Sequence, residues 1–241
     1  MRQKARVIVG IGAIAVVVGV VGCGSSGSAS TSSTPALNGE NTKTATQILT
    51  DAQAATASAT SVHVLGTVPQ GSSSLEMDLH VGSNQTATGS MLLGGQSLEI
   101  IRIGTTVYFK APAAFYTSQG ASSASSTLLG GHWVKVPASM ATSSSYANFF
   151  NITDLHKLMG VLLTPIGAVT VAGQGTVAGT PVVYVADRTG GKLAISLEGK
   201  PYPLEITSGK NSTGQVTFSS WNGPIAARPP AGALNLSALG G

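Results

Sequence analysis

Charge is the scarcest thing in this chain. Asp, Glu, Lys and Arg together make up 9% of its 241 residues, against roughly 25% in an average soluble protein. The hydrophobic share is an ordinary 42%, so Ser, Thr and Gly occupy the places that charges usually hold. Of the formal net charge of +4, three units sit on Arg2, Lys4 and Arg6, and everything after them is close to neutral. No basic stripe is left for phosphate contacts, which excludes nucleic acid as a partner. Cysteine is nearly absent as well: Cys23 stands alone, so no intrachain disulfide can form.

Catalytic constellations are also missing. His63, His80, His132 and His156 are scattered, and no pair has metal-ligand spacing; no metal and no cofactor are expected. There is no Gly-x-Ser-x-Gly elbow and no Ser-x-x-Lys pair. Glu76 and Asp78 share a strand face but lie opposite the apolar row, which makes them a solvated pair. Gly173-Gln174-Gly175 with Gly179 has a dinucleotide-loop look, but it joins two strands where such a site needs a strand followed by a helix. It reads as a hairpin turn, and the chain as a non-enzyme.

What is present begins with a charged start and a short aliphatic run. Residues 7–21 are almost purely aliphatic and are closed by Val20-Val21-Gly22-Cys23. The run falls short of the roughly 20 apolar residues that span a bilayer. A positive start, a short apolar core and a small residue at the cut are the parts of a secretory signal. Gly22-Cys23 at the cut resembles the lipobox of bacterial lipoproteins. That resemblance implies a signal over residues 1–22, a diacylglyceryl thioether (palmitate-type acylation) on Cys23, and anchorage at the outer face of the cell membrane. Residues 24–41 are mostly Ser, Thr, Gly and Ala with one Pro, too poor in apolar surface to offset ordering entropy. Residues 23–42 therefore read as a flexible tether.

From residue 43 the pattern changes. Ala45, Ile48, Leu49, Ala52, Ala55 and Ala59 recur at helical spacing and predict a helix over 43–59. Strands follow: Val62, Val64 and Val68 alternate with His63, Leu65 and Thr67, and Leu75, Met77, Leu79 and Val81 alternate with Glu76, Asp78 and His80. That period of two belongs to a sheet with one buried and one wet face. Residues 86–93, 96–103 and 105–110 continue the series, separated by Gly94-Gly95 and Gly104 as in antiparallel hairpins. The Ser- and Gly-rich residues 117–131 read as a mobile loop, and 132–136 as a short strand. A second helix is predicted over 151–163, capped by Asn151 with Asp154 and striped by Ile152, Leu155, Leu158, Met159 and Leu162. Strands return over 168–177, 180–187, 192–197, 204–208 and 214–221. The order helix, meander, helix, meander predicts an antiparallel α+β fold.

Several local signatures stand in that order. Ser61-Val62-His63-Val64 follows the first helix, Gly131-His132-Trp133-Val134-Lys135-Val136-Pro137 precedes the second, Gly199-Lys200-Pro201-Tyr202-Pro203-Leu204 opens a late strand, and Phe218-Ser219-Ser220-Trp221 lies in the last. Together, after a lipobox, they resemble the actinobacterial lipoprotein family of LppX, LprA, LprF and LprG, related in fold to LolA. The resemblance covers residues 43–236. It implies a strongly curved antiparallel half-barrel with helices covering the concave face and an apolar cavity between them.

It also implies a non-catalytic binder or carrier of a lipid or lipoglycan, with an envelope transporter as a candidate protein partner. No motif of that family fixes the ligand. The candidate lipid contacts are the apolar residues of the helix stripes and of the clearest strand, namely Ile48, Leu49, Met77, Leu79, Leu155, Leu158, Met159 and Leu162, which equally suit a closed core. Trp133 and Trp221 read as core anchors. The alternative is an envelope adaptor or sensor domain whose filled core presents a surface to a protein.

Overall fold

The computed structural model describes residues 36–71, 73–140, 146–210 and 213–239. The signal segment, Cys23 and most of the Ser/Thr-rich stretch lie outside them. Helix α1 (Ala45–Ala57) starts at a reciprocal cap: Gln47 N–H donates to Thr44 Oγ1, and Thr44 N–H donates to Gln47 Oε1. Its stripe of Ile48, Leu49, Ala52 and Ala55 is buried.

A meander follows, β1 (Ser61–Gln70), β2 (Ser73–Gly82), β3 (Thr86–Leu93), β4 (Gln96–Ile103) and β5 (Thr106–Lys110), and then β6 (Trp133–Val136). The second half adds β7 (Thr170–Val177), β8 (Thr180–Ala186), β9 (Lys192–Ser196), β10 (Pro203–Thr207), β11 (Gln215–Ser219) and β12 (Leu234–Asn235). All join one 12-stranded sheet in the order β12-β6-β5-β4-β3-β2-β1-β11-β10-β9-β8-β7. Every pairing is antiparallel except the short parallel contact of β12 with β6. The sheet is open and strongly curved, a half-barrel with helices on its concave side.

The alternating pattern becomes rows of side chains across the sheet. Phe218, Val64, Leu79, Gly89, Ile100, Phe109 and Val134 stand in one register row. Apart from Gly89 all are buried on the concave side, and each such side chain contributes about 1.5–3 kcal/mol by leaving water. Gly89 is glycine because β2 passes too close for anything else: a Cβ there would lie 2.0 Å from Asp78 O. At Gly66 the same holds, 2.1 Å from Gln215 O. These two positions let neighbouring backbones close in where the sheet curls.

The next row holds a charge. Arg102 of β4 lies between Ala87 and Val107 and is buried. Its side chain reaches the helices α4 (Ala147–Ile152) and α5 (Leu155–Leu162). Arg102 donates to Phe150 O at 2.9 Å, Gly104 O at 3.0 Å and Gln85 Oε1 at 3.2 Å, and faces Asp154 at 3.8 Å. Burial lowers its pKa, against the pull of Asp154. The guanidinium thus fixes the junction of α4 and α5 to the sheet.

That junction corrects the predicted helix over 151–163. Thr153 is fully buried and turns its hydroxyl back to Phe149 O, ending α4. Asp154, not Asn151, caps α5 by accepting from Lys157 N at 3.1 Å. The Ser-rich stretch 117–131 is not a loop either. It forms the end of α2 (Ala113–Ser118) and the whole of α3 (Ser123–Leu129), held by the Ser122 cap and by burial of Phe115, Tyr116 and Leu129. Gly173-Gln174-Gly175 lies inside β7, where the register shifts between Val171 and Gln174; it is a bulge, and the turn follows at Ala178-Gly179.

The last residues of the expected tether are packed. Leu37 bridges Glu198, Asn38 Nδ2 donates to Ser196 O (3.0 Å) and Gly199 O (3.2 Å), and Glu40 is buried against Lys43 at 2.8 Å. The short polar side chain of Asn38 satisfies carbonyls at the end of β9, so the chain is fixed some six residues earlier than its composition indicates.

Candidate functional site

A cavity of about 690 Å³ lies between the end of α5 and the β8–β10 part of the sheet. Its volume falls within the roughly 300–1,000 Å³ of small-molecule sites. The inner wall is aliphatic: Leu49 of α1, Leu162 and Leu163 at the end of α5, Val185 of β8, Leu193 of β9 and Ile206 of β10. Pro165, Ile166 and Val169 extend this apolar wall toward solvent, and Ile166 is 55% exposed.

Three loops build the mouth. Pro165 ends the α5 region, and the segment that follows docks on the β8–β9 turn: Ile166 N–H donates to Asp187 Oδ2 (3.3 Å) and Arg188 N–H donates to Ile166 O (3.3 Å). Asp187 Oδ1 accepts from Thr189 N (2.8 Å), Thr189 Oγ1 (2.7 Å) and Gly191 N (3.1 Å). Burial alone would raise the pKa of Asp187. The hydrogen bonds from the Thr189 side chain and from the backbone of Ile166, Thr189 and Gly191 outweigh it and hold the carboxyl below its ordinary value. Lys210 N–H donates to Thr189 O at 3.3 Å, bringing in the β10–β11 turn. From the other side, Gln53 of α1 donates to Leu163 O at 3.2 Å and fixes the end of α5.

The chemistry of this site is that of a container. Its one carboxylate, Asp187, has its lone pairs committed to the turn. Lys192 and Lys210 stand at the polar rim with Thr189, Thr207 and Ser208.

Of the expected lipid contacts, the structure brings Leu49 and Leu162 to this cavity. Ile48, Leu79, Leu155, Leu158 and Met159 are in the closed core. Met77 is buried and borders a separate hollow of about 250 Å³ beside the polar Thr67, Glu76 and Ser97. Pro165, Ile166 and the three turns belong to no periodic segment, and Val169, in the strand expected over 168–177, lies just ahead of β7, so hydrophobic periodicity could not single them out as cavity residues. The local signs were Ile166, between Pro165 and Gly167, and Val169 in the short connection before β7. Trp221 is half-buried, stacks on Tyr202 at 4.5 Å and donates to Pro203 O at 3.1 Å, an anchor of the β10–β11 edge of the core. Among the described residues, no helix is long and apolar enough to cross a membrane.

No protein-family model matches the chain, and no curated protein sequence matches it. Solved structures do. LprF from Mycobacterium bovis superposes with a TM-score of 0.54 at 21% identity, over 78% of this chain and 97% of that one. The chain has the LprF fold. The Mycobacterium tuberculosis lipoprotein LppX is similar at a TM-score of 0.47 and 17% identity, over 76% of this chain and 99% of that one. MucB follows at 0.40 and 16%, over 78% of this chain and 63% of that one. The resemblance read from the local signatures thus holds for the fold: the half-barrel and its helical cover are those of LprF, and the 690 Å³ cavity sits within that LprF-like frame.

Proposed function

We propose that this chain binds a lipid or lipoglycan by its acyl part, without catalysing a reaction, while lipid on Cys23 holds it at the outer face of a membrane. The observation that carries the reading is the cavity of about 690 Å³ with aliphatic walls and a hydroxyl- and lysine-bearing rim. Moving acyl methylenes from water onto Leu49, Leu162, Leu163, Val185, Leu193 and Ile206 contributes about 0.8 kcal/mol per methylene buried. Exposed Ile166 at the mouth adds apolar surface on the side from which a chain enters. In this reading residues 1–22 are the signal, Cys23 the acylated N-terminus, and the tether ends at about residue 36.

The test is extraction and mass spectrometry of protein purified from its own host, beside binding of a fluorescent fatty acid. Lipid recovered near one molecule per chain, and displaced by the probe, is the expected result. A chain free of lipid that also fails to bind the probe overturns the reading and leaves a protein-docking role. The anchor is tested separately: Cys23→Ser should lose the acyl mass and the detergent-phase partitioning of the wild type, and an unchanged acylated mass refutes it.

A further inference from the structure

On the opposite, solvent-facing side of the sheet, cross-strand pairing brings together three groups that are far apart in local pattern. His63 of β1 pairs directly with His80 of β2, and Asp78 lies two residues along β2 on the same face. The imidazoles stack with centroids 4.2 Å apart and planes 10° from parallel. His63 Nε2 lies 2.7 Å from Asp78 Oδ1, and His63 Nδ1 lies 3.1 Å from Ser219 Oγ of β11. One donor atom from each of His63, Asp78 and His80 falls within 4.8 Å of the others, the only such group of three among the described residues. Linear spacing does not report strand pairing, so this grouping of donors was not legible in the sequence.

We propose that His63, His80 and Asp78 form a binding site for a divalent transition-metal ion of the zinc–copper class on the outer face of the sheet. Two imidazoles and one carboxylate are borderline ligands that suit such ions, whereas calcium and magnesium take all-oxygen shells. With metal–nitrogen and metal–oxygen bonds of about 2.0–2.2 Å, tetrahedral ligand atoms stand about 3.3 Å apart. The three donors need to close only that remaining gap. The exposed Asp78 and the partly buried rings can do so by side-chain rotation, the rings splaying from their stack so that their lone pairs converge. The backbone need not move, because directly paired residues hold their Cβ atoms about 4.5–5.5 Å apart.

Ser219 supplies the outer support. With Nε2 of His63 on the metal, Nδ1–H donates to Ser219 Oγ and fixes the ring, as second partners of metal-bound histidines do. The remaining coordination positions face water. This site lies across the sheet from the lipid cavity and does not depend on the lipid reading.

Tag-free full-length chain in detergent should be titrated with ZnCl₂ and CuCl₂ against a chromophoric chelator, with MgCl₂ as control. One zinc or copper ion per chain is expected, together with a raised melting temperature and no response to magnesium. The EPR spectrum of the copper form should show coupling to two nitrogens, a readout that requires no variant to fold. His63→Ala and His80→Ala should each weaken zinc binding by at least about tenfold, the lower end of what outer-shell changes alone do. Asp78→Asn should weaken it while keeping two nitrogens, and His132→Ala and His156→Ala, both at exposed positions, should leave it unchanged. No saturable binding, binding untouched by the His63 and His80 changes, or copper coupled to fewer than two nitrogens overturns the proposal.

Discussion

Leu162 and Met159 sit one turn apart on α5, and the structure gives them opposite tasks. Met159 is 1% exposed in the closed core, whereas Leu162 is half-buried on the cavity wall. Tryptophan at either site adds an indole to the same apolar face. At Met159 it has no space to enter, and overpacking of a close-packed core costs about 1–3 kcal/mol. For a domain of this size each kcal/mol lowers the melting temperature by roughly 2–4 °C, so Met159→Trp should melt about 2–12 °C below wild type. At Leu162 the indole enters the cavity of about 690 Å³, so the melting temperature should stay within about 2 °C of wild type, an effect below roughly 0.5–1 kcal/mol. Binding of a fluorescent fatty acid should show the reverse order, lost in Leu162→Trp and retained in folded Met159→Trp. Thermal unfolding and probe titration on the same preparations read both. Equal destabilisation by the two changes, with probe binding untouched at Leu162, would refute the assignment of Leu162 to an open cavity.

Gly89→Ala should abolish cooperative unfolding or destabilise by more than about 4 kcal/mol, since its Cβ would lie 2.0 Å from Asp78 O. Gly160→Ala on α5, with nothing within 4 Å of a new Cβ, should instead stabilise by about 0.5–1 kcal/mol in denaturant unfolding. Arg102→Ala removes bonds to Phe150 O, Gly104 O and Gln85 Oε1 and opens a cavity, and should cost about 3 kcal/mol by chemical denaturation. Asp187 has its pKa lowered in the folded chain. Its stabilising effect is therefore complete above the ordinary carboxylate value of 3.8 and is lost as pH falls through the lower folded value. Asp187→Asn should flatten that acid limb of the stability profile, and an unchanged profile would show that the β8–β9 turn does not depend on the charge.

The strands β2 to β5 were legible because one face of each is buried and the other wetter. The expected spans 86–93 and 96–103 coincide with β3 and β4. Register was not legible, and it is register that sets His63 beside His80 and lets α5 lie over Leu193 and Ile206. Helices α2 and α3 carry no apolar stripe of their own. Ser122 caps α3 and Phe115 and Tyr116 pack against Phe109, so their helicity depends on tertiary contact rather than pattern. In the same way Thr153 offered no sign that it would be buried and break a helix whose stripe runs on through Leu155 and Leu158. Of the cavity, the walls on α1 and α5 were within reach of periodicity; the mouth, made of three turns from distant parts of the chain, was not.

The bulge in β7 bears on how such chains coexist at high density. β7 is the free edge of the sheet, its residues exposed from Thr170 to Thr176, and an exposed edge is a template on which a second copy can add a strand. Here the hydrogen-bonding rhythm breaks between Val171 and Gln174, with Gly173 at φ 101°, so a docking strand loses register after two or three residues. At the other edge β12 offers two residues, in parallel, before the chain turns into a short 3₁₀ segment, Leu236–Leu239. Under the proposed lipid anchorage, chains held at one surface would meet each other at concentrations far above those in bulk solution. A sheet blunted at both margins can be crowded there without polymerising edge to edge.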